Sequence, residues 1–177
     1  METLTEASSL ICSGYDIVCS RIMDYTVVVC VPQDLSKSEM SQCVGLVCDG
    51  GAVDQKKVAS NLPRARVLAV VRNAKTIVGL GAIKRVMRRH TSDIAKSSGY
   101  ALDPAISEIG YIAVHPEHRR KGLSGRILGA LLQQHPGALF ATTDDYAMKR
   151  TLAGGQFVLR GHEWDGNRGK LSLWVKT

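Results

Sequence analysis

The sequence predicts a single α/β domain, a mixed and mostly antiparallel twisted sheet flanked by helices. Three observations carry this expectation. The chain has 177 residues, 45% hydrophobic and 22% charged, which suits one ordinary core. Apolar β-branched runs alternate with stretches of helical periodicity in the order β-α-α-β-β-β-α-β-α-β-β, a hairpin followed by β-α-β units. No repeat, low-complexity tract or Pro/Ser-rich linker interrupts it, so residues 1–177 are expected to form one unit.

The elements follow in chain order. Asp24 to Pro32 (DYTVVVCVP) is a β-branched run and reads as a strand. From Gln33 the pattern is helical, with Leu35, Met40, Val44 and Val47 near one stripe and Gly50-Gly51 as the stop. A second short helix is expected near Val53–Leu62, ended by Pro63. Arg66–Arg72 and Thr76–Lys84 read as strands joined by the turn Asn73-Ala74-Lys75. Arg85–Pro104, polar and rich in breakers, reads as a loop or short helix over the surface and not as core. Ser107–Val114 (SEIGYIAV) is a strand stopped by His115-Pro116. Leu123, Ile127, Leu128, Leu131 and Leu132 recur at 3.6 spacing, giving a helix that ends near His135-Pro136-Gly137. Ala138–Thr142 is a short strand, and Asp145–Leu152 a helix closed by Gly154-Gly155. Phe157–Gly161 and Leu171–Lys176 read as strands on either side of the DGNRG turn.

Composition narrows the function classes. No stretch approaches the roughly 18 consecutive apolar residues of a membrane span, and no basic segment precedes the short apolar patch near the start. A secreted, fibrous or membrane-spanning protein is therefore not expected. The five cysteines (Cys12, Cys19, Cys30, Cys43 and Cys48) are odd in number, lack C-x-x-C spacing and have apolar neighbours. They read as buried free thiols in a reducing compartment, which places the protein in the cytoplasm. Net charge is +7, divided between −4 over residues 1–63 and +11 over residues 64–177. A positive field of that kind attracts nucleic acid, an anionic membrane or a phosphate-rich cofactor.

The informative segment runs from Glu108 to Leu132, EIGYIAVHPEHRRKGLSGRILGALL. It predicts a strand, a basic glycine-bearing loop and the start of an amphipathic helix. Such a loop leaves backbone N–H groups unpaired, and the helix dipole adds positive charge there. Gly122 and Gly125 allow a ligand to approach the backbone closely, so the segment is suited to phosphate oxygens. The Walker lysine motif and the G-x-G-x-x-G fingerprint are both absent, which argues against a nucleotide triphosphatase or a Rossmann dehydrogenase.

Arg119-Arg120-Lys121-Gly122-Leu123-Ser124 resembles the (Q/R)-x-x-G-x-(G/A) signature of the GCN5-related N-acetyltransferases, and AVHPEH before it and RILGALL after it match the context. Downstream, Asp145–Phe157 (DYAMKRTLAGGQF) is similar to that family's N-x-x-A-x-x-L-Y-x-K-x-G-F segment. The resemblance covers Arg66 to the C-terminus. It implies acetyl-coenzyme A as cosubstrate, no metal, and an amine acceptor attacked directly. The loop amides of Arg119, Arg120, Lys121, Gly122, Leu123, Ser124 and Gly125 would hold the pyrophosphate. Ile112, Ala113 and Val114, on a strand that splays from its neighbour, would pair with the pantetheine arm and supply the oxyanion donor. By the same resemblance, residues 64–177 form the acetyl-coenzyme A core and residues 1–63 the acceptor side.

Glu108 matches the glutamate that the family's histone acetyltransferases use as base. On a largely apolar strand its carboxyl is expected to have a raised pKa; an ion pair with a surface Arg, or orientation of the acceptor, is the plainer alternative. Ser124 replaces the signature's last Gly or Ala. Asp145 stands where the family often has Asn, placing a carboxylate near the pantetheine. Leu152 occupies the position of the tyrosine that protonates the departing thiolate. Tyr146 and Tyr111 are the remaining candidate acids, and packing is the alternative for both.

Weaker signals stay open at this level. His115-x-x-His118 has metal-like spacing but no third ligand in the sequence, and solvent-facing histidines near phosphates are favoured. Lys84, Arg85, Arg88, Arg89 and His90 form a basic patch suited to the adenosine 3′-phosphate, an acidic protein, nucleic acid or plain solvation. Without interleaved aromatics it is a poor nucleic-acid signature. Trp164 and Trp174 are expected to pack on the sheet, Trp164 with the alternative of walling an acceptor pocket. The acceptor itself is not legible: a protein lysine or N-terminus, a small amine, an aminoacyl-tRNA or an amino-modified nucleotide all fit. A coenzyme A sensor without turnover and a nucleic-acid-binding protein are the other classes, and dimers are common in the family.

Overall fold

A computed structural model describes residues 25–51 and 53–177. Cys12, Cys19 and Asp24 lie outside them. The chain order is β1 (Tyr25–Cys30), α1 (Lys37–Cys48), α2 (Gln55–Asn61), β2 (Val67–Asn73), β3 (Thr76–Ile83), α3 (Arg88–Ser98), β4 (Ser107–Val114), α4 (Leu123–Gln134), β5 (Leu139–Thr143), α5 (Tyr146–Gly154), β6 (Val158–Asp165) and β7 (Lys170–Lys176). The strands form one seven-stranded sheet in the order β1-β2-β3-β4-β5-β7-β6. Every neighbouring pair is antiparallel except β4 and β5, which run parallel.

Local chemistry accounts for the boundaries. Ser36 caps α1: its hydroxyl accepts from the Glu39 N–H, and the Glu39 carboxylate accepts from the Ser36 N–H, a reciprocal capping box. β2 and β3 are joined by Ala74 and Lys75 alone, with Ala74 at φ +51°, since Asn73 already pairs with Thr76. Gly99, at φ +67°, ends α3 in the left-handed conformation.

α3 corrects the expectation of a surface loop or short helix that avoids the core. It spans three turns, and Thr91, Ile94 and Ser98 are buried on one side of it. These residues recur at helical spacing, but only Ile94 is strongly apolar, so the stripe is chemically faint.

Alternation along the strands separates two faces. On one, α4 and α5 pack Leu123, Ile127, Leu128, Leu131 and Leu152 against Val27, Ala69, Val71 and Ile109. On the other, α1 and α2 bury Cys43, Leu46, Val47 and Val58 against Leu68, Val70 and Leu80. Further along that second face, Ile94 of α3 meets Phe140, Leu173 and Val175. Gly81 of β3 lets α4 approach: a Cβ there would lie 2.5 Å from the Ile127 side chain. Fully buried Ile127 and Leu131 are each worth roughly 2–5 kcal/mol against truncation to Ala.

Candidate functional site

The parallel pair β4/β5 has two rungs, Ser107 opposite Leu139 and Glu108 opposite Phe140. Beyond them the strands part, and Gly110, Tyr111, Ile112 and Ala113 remain half-buried. A bulge accompanies the split: Leu80 pairs with Ala113 and Ala82 with Gly110, so Gly81 opposes both Tyr111 and Ile112. Tyr111 takes φ +55°, a conformation costing a non-glycine residue roughly 1–2 kcal/mol. The split opens toward the C-terminal ends of both strands, where the loop to α4 and the start of α5 lie.

At that end, Arg120 and Gly122 both have positive φ, +60° and +70°, and Gly122 is the N-cap of α4. Glycine offers no capping side chain, and the first backbone bond into the helix is Arg126 N–H to the Gly122 carbonyl at 3.1 Å. The amides of Leu123, Ser124 and Gly125 are thus left for a ligand. Arg119 donates from Nε to the Val114 carbonyl at 3.0 Å. Lys121 donates to the Tyr25 hydroxyl at 2.7 Å, and Arg126 donates to the Tyr25 carbonyl at 3.1 Å. The cradle is tied to β1 while Arg120 stays exposed. Uncapped amides, positive side chains and an unpaired length of β4 fit a pyrophosphate followed by an amide-bearing arm.

Glu108 is buried, 8% exposed, at the apex of the split. Its Oε1 accepts from Lys84 Nζ at 2.7 Å and its Oε2 from His90 Nε2 at 3.1 Å. Lys84 is also its cross-strand neighbour, donating its backbone N–H to the Glu108 carbonyl at 2.8 Å. Burial pushes the carboxyl pKa up, but the Lys84 ammonium and the hydrogen bond from His90 outweigh it and hold the group at about 2. The expected raised pKa is therefore corrected, because the apolar strand brings two donors with it. The Lys84 ammonium also lies 4.4 Å from the centroid of the Tyr111 ring. Gly110 makes room for it, since a Cβ there would fall 2.8 Å from Lys84 Cε.

The basic patch is divided by this arrangement. Lys84 and His90 turn inward to Glu108, while Arg85, Arg88 and Arg89 remain exposed. No sequence spacing marks His90, eighteen positions before Glu108; the signal that existed was the antiparallel pairing of β3 with β4, which sets Lys84 opposite Glu108.

The remaining candidates fall at different distances from the split. Asp145 is the N-cap of α5, its Oδ1 accepting from the Met148 N–H at 2.7 Å. Tyr146 begins α5 and is 76% exposed. Leu152 is 1% exposed within the core. His115 and His118 are half-buried, not solvent-facing, and Glu117 is a third donor that the sequence reading missed. The donor atoms of the three lie within 4.8 Å of one another. His118 Nδ1 is 2.9 Å from the Tyr25 hydroxyl. Trp164 packs with the α3 cluster and Trp174 against the α4 face. Burial pushes the Cys30 thiol up to about 12 and the Cys43 thiol to about 11, so neither is a nucleophile near neutral pH.

Known proteins share this arrangement of a split sheet beside the start of a helix. The model of the acetyltransferase (GNAT) family matches residues 43–150, and the chain belongs to that family. Among solved structures, an acyl-CoA N-acyltransferase from Pseudomonas aeruginosa is similar over 86% of this chain and 99% of its own, with a TM-score of 0.66 at 11% identity. A GNAT-family acetyltransferase from Streptococcus agalactiae matches over 91% of this chain and 98% of its own, with a TM-score of 0.67 at 13% identity. The protein yncA from Salmonella typhimurium, solved with its cofactor acetyl-CoA, matches over 88% and 94%, with a TM-score of 0.57 at 14% identity. These likenesses are of fold. No curated protein matches the sequence. No helix among the described residues is long and apolar enough to cross a membrane.

Proposed function

We propose that the protein is an acetyl-coenzyme A-dependent N-acetyltransferase that moves the acetyl group to a primary amine by direct attack, with no covalent enzyme intermediate. The observation that supports this most is the β4/β5 split opening onto the uncapped amides of Leu123, Ser124 and Gly125. The cosubstrate supplies an activated thioester. Residues Arg119–Gly125 take the pyrophosphate, with Arg119, Arg120 and Lys121 as the exposed cations of the loop. Ile112, Ala113 and Val114 offer backbone groups to the pantetheine arm and an N–H to the carbonyl oxygen. Asp145 holds the start of α5 at the rim, and Tyr146 beside it is the candidate acid for the departing thiolate. No metal is assigned a role.

The chain works as one domain. Residues 64–177 hold the coenzyme, and residues 1–63 contribute α1 and α2 on the face that carries Tyr111 and Ala113, the acceptor side. Glu108 is the acidic group of that side. With its pKa at about 2 it is a carboxylate across the physiological range, placed to orient an acceptor or a water and not to take a proton itself. The buried thiols Cys30 and Cys43 suit a reducing compartment, and the cytoplasm is the proposed location.

The test is a thiol-release assay with acetyl-coenzyme A over small amines, peptide N-termini and lysine peptides, run beside coenzyme binding. The wild type is expected to release thiol with at least one amine, and Glu108→Gln to lose turnover while still binding the coenzyme. Binding without release on any amine would leave either a coenzyme sensor or a macromolecular acceptor outside the panel.

A further inference from the structure

A carboxylate needs one cation to balance its charge, and Lys84 already provides that for Glu108. His90 takes the other oxygen, Oε2, at 3.1 Å. This bond occupies Nε2 as a donor, so the neutral imidazole carries its lone pair on Nδ1. Among the described residues no hydrogen bond occupies Nδ1. The side chain is 41% exposed, and its ring centroid lies 6.5 Å from that of Phe140. Glu108 and Phe140 are the two halves of the last rung before the strands part. His90 therefore stands over the apex of the split, with one nitrogen held by protein and the other accessible.

We propose that His90 is the proton acceptor for the attacking amine and that Glu108 is a positioning residue that fixes its tautomer, with Lys84 keeping the carboxylate charged. This rests on the acetyltransferase reading. As the amine nitrogen bonds to the acetyl carbonyl carbon, one N–H proton passes to His90 Nδ1. The carbon–sulfur bond breaks with its electron pair on the thiolate, which takes a proton from Tyr146 or from water, and the imidazolium then releases its proton to water. The arrangement has the geometry of a histidine oriented by a buried carboxylate, with the roles divided between two elements, the first turn of α3 and the start of β4.

The experiment uses the full chain, acetyl-coenzyme A and the most active amine of the panel above. His90→Ala should lower kcat by about 10²–10³-fold, leave acetyl-coenzyme A affinity within about twofold, and recover at least about tenfold when free imidazole is added. Glu108→Gln in the His90→Ala background should cost nothing further, because the two act as a unit. Long-range ¹H–¹⁵N spectra of the wild type should show the His90 Nε2–H tautomer, and Glu108→Gln should disturb it. His90→Ala with kcat/KM within threefold of wild type, a loss that imidazole does not rescue, or an Nδ1–H tautomer would each overturn the proposal while leaving the acetyltransferase reading intact. Absence of thiol release from the wild type would overturn both.

Discussion

Lys84→Met is the perturbation whose outcome is set most directly by the geometry at the split. It removes the ammonium 2.7 Å from Glu108 Oε1 and leaves a buried carboxylate with His90 as its remaining partner. The Glu108 carboxyl is held at about 2, against about 4.3 in an unfolded chain. That gap corresponds to about 3 kcal/mol of stability at neutral pH. Because the folded pKa is the depressed one, this stability is present above the unfolded value and is lost as pH falls toward about 2. By pH ~3 the wild type should have lost about 2 kcal/mol through this group. Losing one partner of a fully buried pair costs about 3–5 kcal/mol; the Lys84 side chain is 20% exposed, so water softens the loss to about 2–3 kcal/mol. Urea unfolding at pH 7 and pH 3 reads both effects. Lys84→Met should be less stable at pH 7 and flatter with pH, and in a Glu108→Gln background the same substitution should cost under about 1 kcal/mol. A cost below about 0.5 kcal/mol at pH 7, or an equal cost with and without the carboxylate, would mean that the Lys84–Glu108 pair does not carry this stability.

Two further outcomes follow from other parts of the fold. Ser36→Ala removes the hydroxyl that accepts from the Glu39 N–H and should lower stability by about 1 kcal/mol in urea titration. The Cys30 and Cys43 thiols, raised by burial to about 12 and about 11, should resist a thiol reagent in the native protein at pH 8 and react at once in denaturant. Fast native labelling of either would contradict their burial.

Most of the architecture was legible because strong periodicities mark it. Ser107–Val114 and the Leu123 helix are dense apolar patterns bounded by His115-Pro116 and Gly122, and both occur where the sequence places them. α3 was not legible as a core helix, since its buried stripe depends on Thr91 and Ser98, residues that read as polar. β6 runs on to Asp165, past Gly161, where its apolar signal fades and its side chains are mostly exposed. At the site, the phosphate-binding character of the loop came from Gly122 and its basic neighbours, a local signal. The state of Glu108 did not: its pKa is set by Lys84 across a strand pairing and by His90 from a helix that sequence reading had assigned to the surface. Leu152, noted as a missing tyrosine, has its explanation in packing, since it is 1% exposed in the core shared with α4.

Binding of the coenzyme's pyrophosphate by the loop before α4 can be read by calorimetric titration of the wild type and Ser124→Glu with acetyl-coenzyme A. A carboxylate in the first turn of α4 is compatible with the helix dipole but competes for the amides of Leu123, Ser124 and Gly125. Micromolar binding to the wild type is expected, and an affinity at least about thirtyfold weaker in Ser124→Glu, with the melting temperature unchanged. No binding to the wild type, or equal affinity for both, would contradict pyrophosphate binding by that loop.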